Sequence, residues 1–71
     1  MNPAIEHVLQ FFRYDHLPLH LQEISKPFAD LAQATADRAQ NQETTVALRK
    51  LLEAKDAAVR AALVGYKPPA A

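Results

Sequence analysis

The sequence predicts an all-α protein: a short N-terminal helix, then an antiparallel two-helix hairpin. Three observations lead there. Alanine is abundant while glycine occurs once, at Gly65, a composition that favours helix. Two long stretches repeat apolar residues at spacings of three and four, the period of a helix face. No alternating apolar and polar run is long enough for a strand.

Asn2-Pro3 reads as a helix start, with Asn as cap and Pro at the first helical position. Ile5, Val8, Leu9 and Phe12 then form one apolar stripe, so the first helix is expected over about residues 3–12. The segment 13–18 breaks the pattern, because Leu17 precedes a proline and is pushed out of helical geometry. Pro18 suits the first turn of the next helix, expected over about residues 18–39. Leu17, Leu21, Ile24, Phe28, Leu31 and Thr35 make a coiled-coil-like seam along it. Pro27 lies inside and is expected to kink it. Gln40-Asn41-Gln42 is the turn, with Asn41 a cap and Glu43 suited to the helix dipole. The third helix is expected over about residues 42–64, with Leu48, Leu51, Leu52, Lys55, Val59, Ala62 and Leu63 along one side. Arg49 with Glu53 and Asp56 with Arg60 are i,i+4 pairs. Gly65 reads as a C′ glycine. The domain is then residues 1–64, followed by an extended tail from 65 to 71.

A chain of 71 residues holds one domain and buries only about 60% of its unfolded surface. Such scaffolds usually need a disulfide, a metal or a partner chain. There is no cysteine, which excludes disulfides and thiolate metal sites. Two helices cannot surround a core, and Leu19, Val46, Leu52 and Leu63 do not all fit one seam. An apolar flank left open implies an interface, so a symmetric homo-oligomer formed through helix packing is expected.

Eight basic and eight acidic residues balance, which argues against DNA or RNA polymers as partners but leaves room for a small anionic ligand. The first dozen residues do not resemble a signal peptide, and no apolar run approaches the ~20 residues of a membrane span. The expectation is a soluble cytoplasmic protein with no membrane partner.

Catalytic signals are sparse. Ser25 is the only serine and has no marked base partner, and no Gly-rich phosphate loop is present, so no enzyme is expected. His16, His20 and Glu23 would suit a metal on one continuous helix, but Pro18 intervenes and places His16 outside it. A surface or hydrogen-bonding role is favoured there, and neither metal nor cofactor is expected. Tyr14 is either a core-lining aromatic or a stacking platform for a base. Lys26 either pairs with Asp30 or acts as a phosphate point charge. Arg60 either pairs with Asp56 or holds phosphate bidentately.

Phe12-x-Tyr14-x-His16-Leu17-Pro18, then Lys26-x-Phe28-Ala29, then Ala47-Leu48-Arg49-Lys50-Leu51-Leu52-Glu53-Ala54 together resemble the phage anti-CBASS cyclic-nucleotide sponges. These are small helical-hairpin proteins, and a related hairpin occurs in a phage Thoeris-inhibitor family. The similarity covers about residues 12–63 and lies in the order and spacing of the motifs. It implies a non-catalytic phage protein that binds cyclic di- and trinucleotide immune signals between protomers of a hexamer and keeps the host effector off, in the host cytoplasm. It also implies that Tyr14 stacks on a base and Lys26 meets phosphate. Phe12, His16 and Ser25, in or beside the motifs, complete the expected ligand-binding set, with Arg60 an extension. Where the family often has Tyr-His-Pro-Pro, this chain reads Tyr14-Asp15-His16-Leu17-Pro18, which sets a carboxylate beside the phosphate site. Lys55-Asp56-Ala57-Ala58 stands where relatives often carry bulky aromatics. The alternative is a structural or protein-binding hairpin, such as a phage assembly or regulatory subunit, with no nucleotide ligand.

Overall fold

The computed structural model describes residues 1–65. The order is α1 (Pro3–Leu9), a 3₁₀ turn (Gln10–Phe12), α2 (Leu19–Arg38) and α3 (Gln42–Gly65). The expected tail beyond Gly65 lies outside the described residues.

α1 begins as its sequence suggests. Asn2 Oδ1 accepts the Ala4 N–H at 2.8 Å, and Pro3 takes the first helical position, where it has no needed N–H to lose. The helix tightens into 3₁₀ geometry for its last three residues, a common way for a short helix to end. The Asn2 N–H also donates to Gln40 Oε1 at 3.2 Å, which ties the N-terminus to the α2–α3 turn. Ile5, Val8 and Phe12 form the buried stripe and meet Ala32 and Ala36 of α2 and Leu48 of α3. The first helix therefore fills the groove of the hairpin at its closed end and supplies half of the core's buried side chains. Its stability comes from that docking, since seven residues of isolated helix are marginal in water.

The expected seam on α2 holds in part: Leu21 is buried and Leu17, Ile24, Phe28 and Thr35 are half-buried. The residues α2 buries are Leu21, Ser25, Ala32 and Ala36. Leu31, placed on the expected seam, is 54% exposed. The spacing is still helical, but the buried face is rotated towards small side chains. Ala32 and Ala36 share a core with Ile5, Val8, Phe12 and Leu48, so the docked N-terminal segment as well as α3 sets which face of α2 is buried. α2 also starts one residue later than expected: Pro18 caps it in extended geometry and its carbonyl accepts from Leu21 and Gln22 at 2.9 and 3.0 Å.

The turn is closed by a reciprocal cap. Asn41 Oδ1 accepts the N–H groups of Glu43 and Thr44 at 3.0 and 3.2 Å. The Thr44 hydroxyl accepts the Asn41 N–H at 3.3 Å and donates to the Ala39 carbonyl at 2.7 Å. These bonds satisfy groups that both helix ends leave open.

On α3, the expected i,i+4 pairs are replaced by Lys50 with Glu53 at 3.7 Å and Lys55 with Asp56 at 2.9 Å. Such pairs differ by tenths of a kcal/mol at the surface, so reach and rotamer decide between them. Gly65 is helical with no positive φ, and a Cβ built there meets nothing within 4 Å. It is thus not the left-handed C′ residue the sequence suggested.

The described chain is a rod of 48 × 18 × 16 Å. Its closed end has a core; its open end does not. Leu19, Leu63 and Val64 are exposed there, and an apolar groove of about 680 Å³ runs between Ile24, Pro27 and Phe28 of α2 and Ala58, Ala61 and Ala62 of α3. Among the described residues no helix is long and apolar enough to cross a membrane.

Candidate ligand-binding site

The irregular segment after Phe12 is fixed at both ends. Phe12 is held in the core, and a turn closes with the Leu17 N–H on the Tyr14 carbonyl at 3.0 Å. Gln22 Nε2 then donates to the Leu17 carbonyl at 2.8 Å, joining the segment to α2. Tyr14 is presented half-buried from this frame. It lines a hollow of about 180 Å³ with Leu9, Phe12, Arg13, Ala29 and Gln33.

Lys26 stands on α2 three residues before Ala29 and outside the hollow's lining. Its Nζ donates to Asp30 Oδ2 at 2.6 Å. The Asp30 hydrogen bond and charge hold the Lys26 ammonium above the ordinary lysine value, and Tyr14 adds a smaller push in the same direction. The opposite relation holds at Asp15: the Arg13 hydrogen bond and charge, at 3.3 Å, hold its carboxyl below the usual range.

The expected site residues divide as follows. Tyr14 and Phe12 line the hollow, and Lys26 is not part of its lining. Phe12 is only 3% exposed, so its ring forms an inner wall rather than a free stacking face. His16 stands on the surface with Nδ1 4.0 Å from Asp15 Oδ1. Ser25 is 1% exposed, unlike its exposed neighbour Lys26, and its Oγ has no hydrogen-bond partner among the described residues. Arg60 is exposed on α3, apart from the hollow's lining. The structure thus brings Tyr14 and Phe12 to one hollow and leaves Lys26, His16, Ser25 and Arg60 outside its lining.

Arg13 and Gln33 line the hollow and were missed from the sequence. A signal existed for each: Arg13 lies between the two aromatics, and Gln33 follows Lys26 by seven residues, two turns along the same helix face.

A second hollow of about 280 Å³ lies against α1, lined by His7, Val8, Phe11, Arg49 and Leu52. The rings of His7 and Phe11 meet edge to face there, with centroids 5.4 Å apart. Among the described residues no three His, Cys, Asp or Glu side chains converge as a metal set; α2 begins at Leu19, leaving His16 outside it.

No family model, curated protein or solved structure matches the chain.

Proposed function

We propose that the protein is a non-catalytic sponge that sequesters cyclic di- or trinucleotide immune signals in pockets formed between protomers of a homo-oligomer. The observation that supports this most is the half-buried Tyr14 ring at a hollow that a cation, Arg13, also lines, with Lys26 on α2 outside the lining. An aromatic face and a cation side by side suit a ligand that carries a base next to a phosphate. At about 180 Å³ the hollow falls below the ~300–1,000 Å³ of ordinary ligand pockets, so a second protomer supplies the rest. The apolar groove and the exposed leucines of the open end support assembly. The hexamer and the phage context come from the sequence resemblance.

The energetics are adequate without any catalytic group. Stacking contributes ~1–3 kcal/mol per base, and hydrogen bonds to charged groups ~1.5–3 kcal/mol each. One Tyr14 and one Lys26 from each of two protomers sum to about 5–12 kcal/mol before the cost of association, so nanomolar affinity draws on the further contacts of a shared pocket.

The second reading, a structural or protein-binding hairpin, is favoured by one observation. The larger groove is lined almost wholly by apolar and small side chains, while Lys26 is already occupied by Asp30. Measuring cyclic-nucleotide affinity together with oligomer size for Tyr14→Ala and Lys26→Ala separates the two. Lost affinity in an intact oligomer is the sponge result. Unchanged affinity in both variants removes those residues from the site.

A further inference from the structure

Arg13 borders the Tyr14 hollow directly, whereas Lys26 does not line it. The backbone at Arg13 is extended, with φ −62° and ψ 141°, and the residue lines the hollow together with its sequence neighbours Phe12 and Tyr14. Its guanidinium makes one hydrogen bond, from Nη2 to Asp15 Oδ2 at 3.3 Å, and the two side chains are 70% and 69% exposed. An arginine presents five N–H donors in a fork that matches phosphate bidentately. The Asp15 bond is long and solvated, and such exposed pairs are weak. Each cation of the site therefore has a carboxylate of its own, Arg13 with Asp15 and Lys26 with Asp30.

Resting on the sponge reading, we infer that Arg13 is a phosphate-binding residue of this hollow and that Asp15 is the internal anion a ligand phosphate displaces from it. The empty site is held neutral by its own carboxylates. A phosphate diester replaces Asp15 on the guanidinium with a better geometric match, and the released carboxylate turns to solvent. The Asp15 charge beside the site then tunes affinity downward without blocking the ligand.

The test is calorimetry of the full chain against 3′,3′-cyclic GMP–AMP and cyclic triadenylate, with circular dichroism to confirm helix content. Arg13→Ala is expected to weaken binding of the preferred probe by about tenfold or more, the scale of a lost charge-assisted contact. Arg13→Lys recovers part of the loss, because it keeps the charge without the fork. Asp15→Asn tightens binding by up to about fivefold, the scale of a surface ion pair. If Arg13→Ala lowers helix content, Arg13→Gln is read in its place. Wild-type binding with affinity unchanged in the folded Arg13 variant overturns this assignment and leaves the sponge reading standing. Weaker binding by Asp15→Asn overturns the displacement. No binding of either probe by the wild type overturns the sponge reading and this assignment with it.

Discussion

Lys26 Nζ lies 2.6 Å from Asp30 Oδ2, one turn further along α2. On the sponge reading, a ligand phosphate must compete with Asp30 for Lys26. Both side chains are more than half exposed, so the pair is readily exchanged with solvent.

Replacing Asp30 tests that competition. Asp30→Asn keeps the shape and removes the charge. Binding of a cyclic dinucleotide is expected to tighten by up to about fivefold, whereas Lys26→Ala abolishes it. Isothermal calorimetry on the two variants checks this, and weaker binding by Asp30→Asn would show that the carboxylate contributes to the site rather than opposing it.

The ion pairs set the pH behaviour. Asp15 is lowered below its ordinary 3.8, so its contribution to folding is present above that pH and is lost as pH falls through the lower folded value. Lys26 is raised above 10.5, so its contribution is present below that pH and is lost as pH rises through the higher folded value. Thermal melts of wild type and Asp15→Asn should run at a constant offset through neutral pH and converge only under acid conditions. Convergence between pH 5 and 7 would contradict the Arg13–Asp15 pairing.

Leu48 is the α3 contribution to the core, fully buried among Ile5, Val8, Phe12, Ala32 and Ala36. Leu48→Ala is expected to cost about 2–5 kcal/mol, a large share of the stability of so small a domain. Leu31→Ala, at an exposed position, should change the folded single chain by no more than about 0.5 kcal/mol. Chemical denaturation of both variants, followed by circular dichroism, gives the comparison.

Ser25 Oγ is buried without a hydrogen-bond partner. Removing a hydroxyl that makes no bond relieves its desolvation, so Ser25→Ala should leave stability unchanged or raise it by about 1 kcal/mol. The same variant should bind a cyclic dinucleotide like the wild type, because the hydroxyl is buried and outside the hollow's lining. A clear loss of affinity would restore Ser25 to the ligand set.

Local signals were readable in the sequence. Asn2 and Asn41 cap the helices named for them because a cap depends on residues within one turn. The stripe Ile5, Val8 and Phe12 was legible because helix period is local. The register of α2 against α3 was not. A scan for large apolar residues favours Leu31, but α2 buries Ser25, Ala32 and Ala36, a choice made by the segments packed against it. The docking of α1 into the closed end, and the Asn2–Gln40 bond across 38 residues, likewise depend on contacts distant in sequence. At the site, Tyr14 and Lys26 stood out by residue type. Arg13 and Gln33 did not, since only folding brings them to one hollow.

The most direct measurement is calorimetry of the purified wild-type protein against a cyclic dinucleotide and a cyclic trinucleotide, with the ligand released by heat and examined by chromatography. The sponge account predicts tight binding and recovery of intact ligand, with a stoichiometry below one ligand per chain because protomers share each pocket. No binding across a panel of cyclic nucleotides, or recovery of cleaved ligand, would contradict it.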